Sequence, residues 1–240
     1  MSNEILYLLQ TVVGLAFTLI AFRLGKHWLY GYIAVCIILA NIFVTKEITL
    51  FGLTATGGNV VYGAIFLTTD ILAEHYGKRA ARRAVFIGFF VSLFYVVMSQ
   101  FMAAFPINPN SENPEMAKTI SEGMGAIFSF APSIILASMT AYLVSQLHDI
   151  WAFHFIKMKT KGKLLWLRNN CSTWVSQMID SVIFCLLAFL VFPKIMLGSE
   201  FVKELPVIIE IILSTYILKI LVAVIDTPFI YLSYVVKPSE

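Results

Sequence analysis

The chain has 240 residues, 59% of them hydrophobic, and a net charge of +3, with a mean hydropathy of +0.84. That is far too apolar for a soluble domain; it reads as a polytopic membrane protein, a single integral domain over 1–240, since no long polar linker divides it. The small positive balance lies in loops and signals orientation in a bilayer, which excludes nucleic acid as a partner.

Seven apolar stretches approach spanning length: 5–22, 29–45, 59–75, 84–105, 125–147, 172–192 and 205–235. The first lacks a basic leader and a small-residue cleavage site, so it reads as a retained span. Arg23 and Lys26 fall in the first loop, Lys78, Arg79, Arg82 and Arg83 in the third, and Lys157, Lys159, Lys161, Lys163 and Arg168 in the fifth. The even-numbered loops are acidic or balanced, with Glu200 in the sixth and Lys237 near the C-terminus. The positive-inside rule then predicts a multi-pass protein with its N-terminus outside and its C-terminus cytoplasmic.

The second loop, LFGLTATGG over 50–58, reads either as a mobile lid or as a plain turn; no phosphate-cradling pattern accompanies its glycines. In the third span Thr69 and Asp70 lie about two turns inside one end, with Glu74 a turn further along the same face. Glu74 can pair with Lys78 at i,i+4 near the headgroups or serve a site; Asp70 is deeper and points to function. The fourth span presents Phe86, Phe89, Phe90, Phe94 and Tyr95 for packing and lipid contact, and INPNSENPEM after it is a turn-rich loop. Pro132 predicts a kink in the fifth span, which ends in Ser145, Gln146, His148 and Asp149. Trp151, His154 and Trp166 read as interfacial anchors.

The stretch LLWLRNNCSTWVSQMIDSVIF, 164–184, carries the strongest signal. Steps of three and four put Asn169, Thr173, Ser176 and Asp180 on one helical face, with Gln177 beside them. Asp180 is about 18 Å along the axis from Arg168, near mid-membrane, where an acid faces a bundle interior or a wet cavity. In the last span Thr215, Lys219, Val222 and Asp226 share a face. Lys219 needs a partner, with Asp180 or Asp70 the candidates, either as a structural pair or as part of a site. Pro228 predicts a bend just past Asp226.

Catalysis finds no support. There is no Walker A motif, no H-E-x-x-H, and no histidine at the depth of the polar stripe. The histidines lack ligand spacing, and Cys36, Cys171 and Cys185 lack C-x-x-C spacing and read as packing residues, so no metal, cofactor or disulfide framework is expected.

Four blocks resemble a known family: NVVYGAIFLTTDILAEHYGKRAARRAVFIGFF, SQLHDIWAFHF, LLWLRNNCSTWVSQMIDSVIF and LKILVAVIDTPFIYL are similar to the queuosine precursor transporters of the vitamin uptake (VUT/ECF) family. The resemblance implies an all-α fold: a six-helix transporter core over 29–235, like the substrate-binding subunits of energy-coupling-factor transporters, with 5–22 as an added N-terminal helix. It implies an inner-membrane importer of queuine or related 7-deazaguanines for tRNA modification, working alone or as a homodimer. The alternative is a substrate-capture subunit that needs a separate ATP-driven energising module. A 7-deazaguanine presents ring N–H and amine donors beside a carbonyl acceptor. A carboxylate from Asp70, Glu74 or Asp180 would suit the donors, with Asn41, Asn169, Asn170, Gln177 or Lys219 for the rest, Thr173 beside them, and Tyr62, Phe66 or Trp174 as a stacking face.

Overall fold

The computed structural model describes residues 1–128, 132–196, 203–236 and 238; Glu200 and Lys237 lie outside them. The chain forms helices α1 (Asn3–Leu24), α2 (Lys26–Phe43), α3 (Gly58–His75), α4 (Lys78–Ala104), α5 (Pro114–Phe128), α6 (Pro132–Lys159), α7 (Leu165–Leu186), α8 (Phe192–Met196) and α9 (Leu205–Leu232). A π-helical turn, Leu187–Val191, joins α7 to α8. Six of the seven predicted apolar stretches each fall largely on one long helix, and the fifth, 125–147, is divided between α5 and α6. Among the described residues five helices are long and apolar enough to cross a membrane, and α3 and α6 are not among the five.

The reason α3 fails that criterion is its position. Ile65 through Leu72 are all fully buried, Thr68, Thr69 and Asp70 included, because α1, α2, α4, α6 and α9 pack around this helix. An element wrapped by protein can carry polar residues that a lipid-facing one cannot. The outer wall behaves in the opposite way: Phe86, Phe90, Phe94 and Phe101 of α4 are exposed, each more than half, as lipid contact requires.

Close packing at the centre depends on missing side chains. A Cβ on Gly63 of α3 would collide with Val222 of α9, and one on Gly88 of α4 with Tyr142 of α6 and Ile37 of α2.

Three expectations are corrected. The second loop is more than a plain turn: β1 (Glu47–Leu50) and β2 (Leu53–Thr56) form an antiparallel hairpin, Glu47 opposite Thr56, in an otherwise helical fold. The N-terminus holds this hairpin, with Asn3 Nδ2 donating to Thr49 O at 3.1 Å and Phe51 N donating to Glu4 Oε1 at 3.2 Å. The fifth span does not run from residue 125: Gly125 belongs to α5, a helix with no buried residue, and α6 starts at Pro132. A proline at a helix start forfeits no intrahelical bond, so no kink arises there. Finally, α6 continues well past 147 to Lys159, so Asp149 lies inside the helix rather than at its end.

All three basic loops lie at one end of the bundle. Tyr30 Oη of α2 donates to Ala80 O of α4 at 3.3 Å, and Lys157 Nζ of α6 donates to Glu74 O of α3 at 3.2 Å. The hairpin marks the other end.

Candidate functional site

Four helices, α3, α6, α7 and α9, turn polar side chains toward one another in three layers between the hairpin end and the basic end. The spacing is helical: on α3, Tyr62, Asp70 and Glu74 descend through about 18 Å. On α7, which runs the opposite way, Arg168, Asn169 with Thr173, and Asp180 ascend through the same levels.

The layer nearest the hairpin centres on Asp180. Its Oδ1 accepts from Tyr62 Oη at 3.0 Å and from Ser145 Oγ at 3.1 Å, and its Oδ2 accepts from Lys219 Nζ at 2.6 Å. Lys219 also donates to Ser181 Oγ at 3.3 Å and stands 5.4 Å from the centre of the Tyr62 ring. Both partners of this ion pair are 7% exposed at the side chain, so neither charge could persist alone there. The pair forms part of the wall of a cavity under the hairpin. Asn41, Asn59, Tyr62, Ser92, Ser138 and Tyr142 add to its polar side, and Ile37, Ala40, Val44, Met139, Ala141 and Phe184 to its apolar side.

This wall has hydrogen-bonding capacity to spare. An ionised carboxylate offers about four acceptor sites, and Asp180 uses three. Lys219 uses two of its three N–H groups, and Asn59 Nδ2 is buried without a partner among the described residues. Tyr62 and Tyr142, ring centres 6.4 Å apart and edge-on, supply aromatic faces.

The middle layer holds three buried acids. Asp70 Oδ2 accepts from Thr173 Oγ1 at 3.4 Å, and Asp226 Oδ1 accepts from Asn169 Nδ2 at 2.8 Å. Asp149 of α6 faces Asp70. Among the described residues no three acids, histidines or cysteines are grouped to hold a metal ion.

The third layer closes the basic end. Glu74 accepts from Arg168 Nε at 3.1 Å and from Arg168 Nη2 at 2.8 Å. It also pairs with Lys157 at 3.1 Å and accepts from Tyr234 Oη. Arg168, only 1% exposed, spends its other nitrogen on Gly162 O and Lys163 O, both at 3.0 Å. This corrects the local pairing expected for Glu74: its partners are Arg168 and Lys157, not Lys78, because the long-range geometry offers a bidentate guanidinium.

Of the residues singled out in the sequence, Asn41, Tyr62, Asp180 and Lys219 line the cavity together. Asp70, Asn169 and Thr173 belong to the middle layer and Glu74 to the third. Asn170 donates to Thr227 Oγ1 at 2.7 Å and to Trp166 O at 3.0 Å. Gln177 and the half-buried Trp174 do not reach the cavity, and Phe66, fully buried, packs behind Tyr62. Asn59 and Tyr142 carry no mark in the sequence reading, and Ser145 and Asp149 stand in it only as the polar end of the fifth span. For Asn59 and Tyr142 the available signal was a polar residue one helical turn from a named one.

The chain matches the family model described as "Putative vitamin uptake transporter" over residues 56–233. It is 33% identical to the "Probable queuosine precursor transporter" of Bacillus subtilis (strain 168), over 100% of this chain and 98% of that one. It is 25% identical to the "Queuosine precursor transporter" of Escherichia coli (strain K12), over 82% of this chain and 80% of the other. A "Probable queuosine precursor transporter" of Haemophilus influenzae is 28% identical over 58% of this chain and 54% of its own. No solved structure matches.

Proposed function

Because the chain belongs to the vitamin uptake transporter family, we propose that it imports queuosine precursors, the cargo its relatives are named for, and holds them in the cavity under the hairpin. This family transports and does not catalyse, and the polar stripe serves passage of a solute. The Asp180–Lys219 pair in the cavity wall carries the reading. A 7-deazaguanine sets N–H donors next to a carbonyl on an apolar bicyclic body. The free acceptor site of Asp180 suits the donors, the spare N–H of Lys219 or Asn59 suits the carbonyl, and Tyr62 or Tyr142 suits the ring face.

The basic end is cytoplasmic in this reading, since Lys and Arg concentrate in its three loops, and import delivers the base for tRNA modification. The six helices from α2 onward that span the bundle form the transporter core, with α1 added to it, by the same motif resemblance that relates the core to energy-coupling-factor substrate-binding subunits.

Uptake of labelled queuine and its deazaguanine precursors tests this, in a host without its own synthesis pathway and without energising modules. Wild type accumulates label, and the charge-free double variant Asp180→Leu/Lys219→Met does not, at unchanged membrane levels. Binding by purified protein without uptake would assign the chain instead to substrate capture for an ATP-driven module. Neither binding nor uptake would end the nucleobase reading.

A further inference from the structure

Between the cavity and the closed basic end lies the second polar layer, none of whose acids lines the cavity. Asp70 and Asp149 are fully buried and Asp226 is 1% exposed. Asp70 and Asp149 sit beside each other where α3 meets α6, next to the bond that Thr69 Oγ1 donates to Gln146 Oε1 at 3.1 Å. Asp149 also faces the hydroxyls of Ser172, Thr173 and Ser176, yet those hydroxyls are engaged elsewhere. Ser172 donates to Asn169 O, Ser176 to Ser172 O and Thr173 to Asp70.

Acceptors therefore outnumber donors. Asp70 Oδ1, both oxygens of Asp149 and Asp226 Oδ2 are buried without a partner among the described residues. So is Oδ1 of Asn169, a residue fully buried and anchored in the layer by its bond to Asp226. Unpartnered acceptors facing one another in a membrane interior call for positive charge between them.

No side chain among the described residues supplies that charge. On α9, Lys219 is committed upward to Asp180; on α7, Arg168 is committed downward to Glu74. His148 of α6 turns to Ser176 Oγ at 2.9 Å. α1, α2 and α4, which pack on α3, carry their charged residues only at their ends: Glu4 and Arg23, Lys26, and Lys78 to Arg83. The acids do not converge on one point as a metal's ligands would. Two carboxyls facing each other are, however, the ordinary arrangement for one shared proton.

We propose that the facing pair Asp70 and Asp149, flanked by Asp226 and Asn169, is a proton-binding site that couples proton entry to solute import. It rests on the reading of this chain as an importer. A proton from the outer side adds to one carboxylate as solute occupies the cavity, and it leaves toward the cytoplasm when the basic end opens. Nothing else is made or broken.

The first test needs no solute. Infrared spectra of the purified full-length protein in H₂O and D₂O are expected to show the carbonyl stretch of a buried, protonated carboxyl, shifted by deuterium. Asp149→Asn and Asp70→Asn each lose that band, and Asp180→Asn retains it. A wild type without the band, or a band indifferent to both Asp149→Asn and Asp70→Asn, overturns the proposal.

The second test uses proteoliposomes and labelled queuine. An inward pH gradient without sodium should drive accumulation of up to about tenfold per unit of pH difference, for one proton per solute, and Asp149→Asn should lose it. Accumulation driven by sodium at equal pH overturns the proposal. Exchange of labelled for unlabelled queuine without any gradient reports on cargo alone, so its failure counts against queuine as cargo and leaves the infrared result to decide the proton site.

Discussion

At the scale of single residues, the Asp180–Lys219 pair shows why composition could locate a site but not its wiring. A lysine within an apolar run needs an acid, and two were on offer; geometry chose the one on α7 at 2.6 Å. With both side chains 7% exposed, removing either leaves the other as an uncompensated buried charge. Lys219→Met alone should lower stability by about 3–5 kcal/mol. The double variant Asp180→Leu/Lys219→Met should recover most of that loss, because an apolar pair replaces a buried ion pair at little cost. Thermal unfolding in detergent measures the difference, and equal destabilisation in single and double variants would show the charges are not coupled. Transport should be lost in both. Asn59 makes the converse case. Its Nδ2 bonds to nothing in the described protein, so Asn59→Leu should leave the unfolding temperature unchanged. Ligand affinity should nevertheless drop about fivefold to thirtyfold, the worth of about one to two kcal/mol of hydrogen bonding. Unchanged affinity on titration would remove Asn59 from the site.

At the scale of elements, the helices were legible wherever their signal is local. The stripe of Asn169, Thr173, Ser176 and Asp180 follows the helical period, and each of these residues is buried on α7. What depended on distant partners was not legible. The hairpin Glu47–Thr56 has short strands and turns through Phe51 at φ 51°, an unfavourable conformation for a non-glycine residue; contacts from Asn3 and Glu4 hold it. Asp149 looked like a helix end beside a basic loop until α6 proved to run to Lys159. For Glu74 the sequence leaves open a local pair with Lys78 or a place in a site, whereas the fold supplies Arg168. The crossing of α3 and α9 is equally invisible in sequence, since it rests on Gly63 lying against Val222. Gly63→Ala should therefore overpack the crossing and cost about 1–3 kcal/mol, read as a lower unfolding temperature. Adding Val222→Ala makes room and should restore most of the loss. A second substitution that lowered stability further would contradict this account of the crossing.

At the scale of the whole molecule, the three layers describe one state of a transporter: cavity assembled beneath the hairpin, basic end shut. The closure is held by few groups. Glu74 of α3 binds Arg168 of α7, Lys157 of α6 and Tyr234 just beyond α9, so one carboxylate ties together all four helices that line the polar interior. A carboxylate in this position favours the closed arrangement by as much as its bonds are lost on opening. Replacing it with an amide removes the charge partner of a guanidinium that is 1% exposed, an effect of about 3–5 kcal/mol, or roughly two to four powers of ten in the ratio of closed to open forms. Thr173, in the middle layer and 1% exposed, is a suitable reporter. In a chain with Cys36, Cys171 and Cys185 replaced by alanine, Thr173→Cys should resist a membrane-impermeant maleimide applied at the basic end. Adding Glu74→Gln should make it react many times faster from that end and no faster from the hairpin end. Equal reactivity from both ends would mean that the amide had loosened the whole bundle; no change from the basic end would mean that Glu74 orders the helices without holding that end closed.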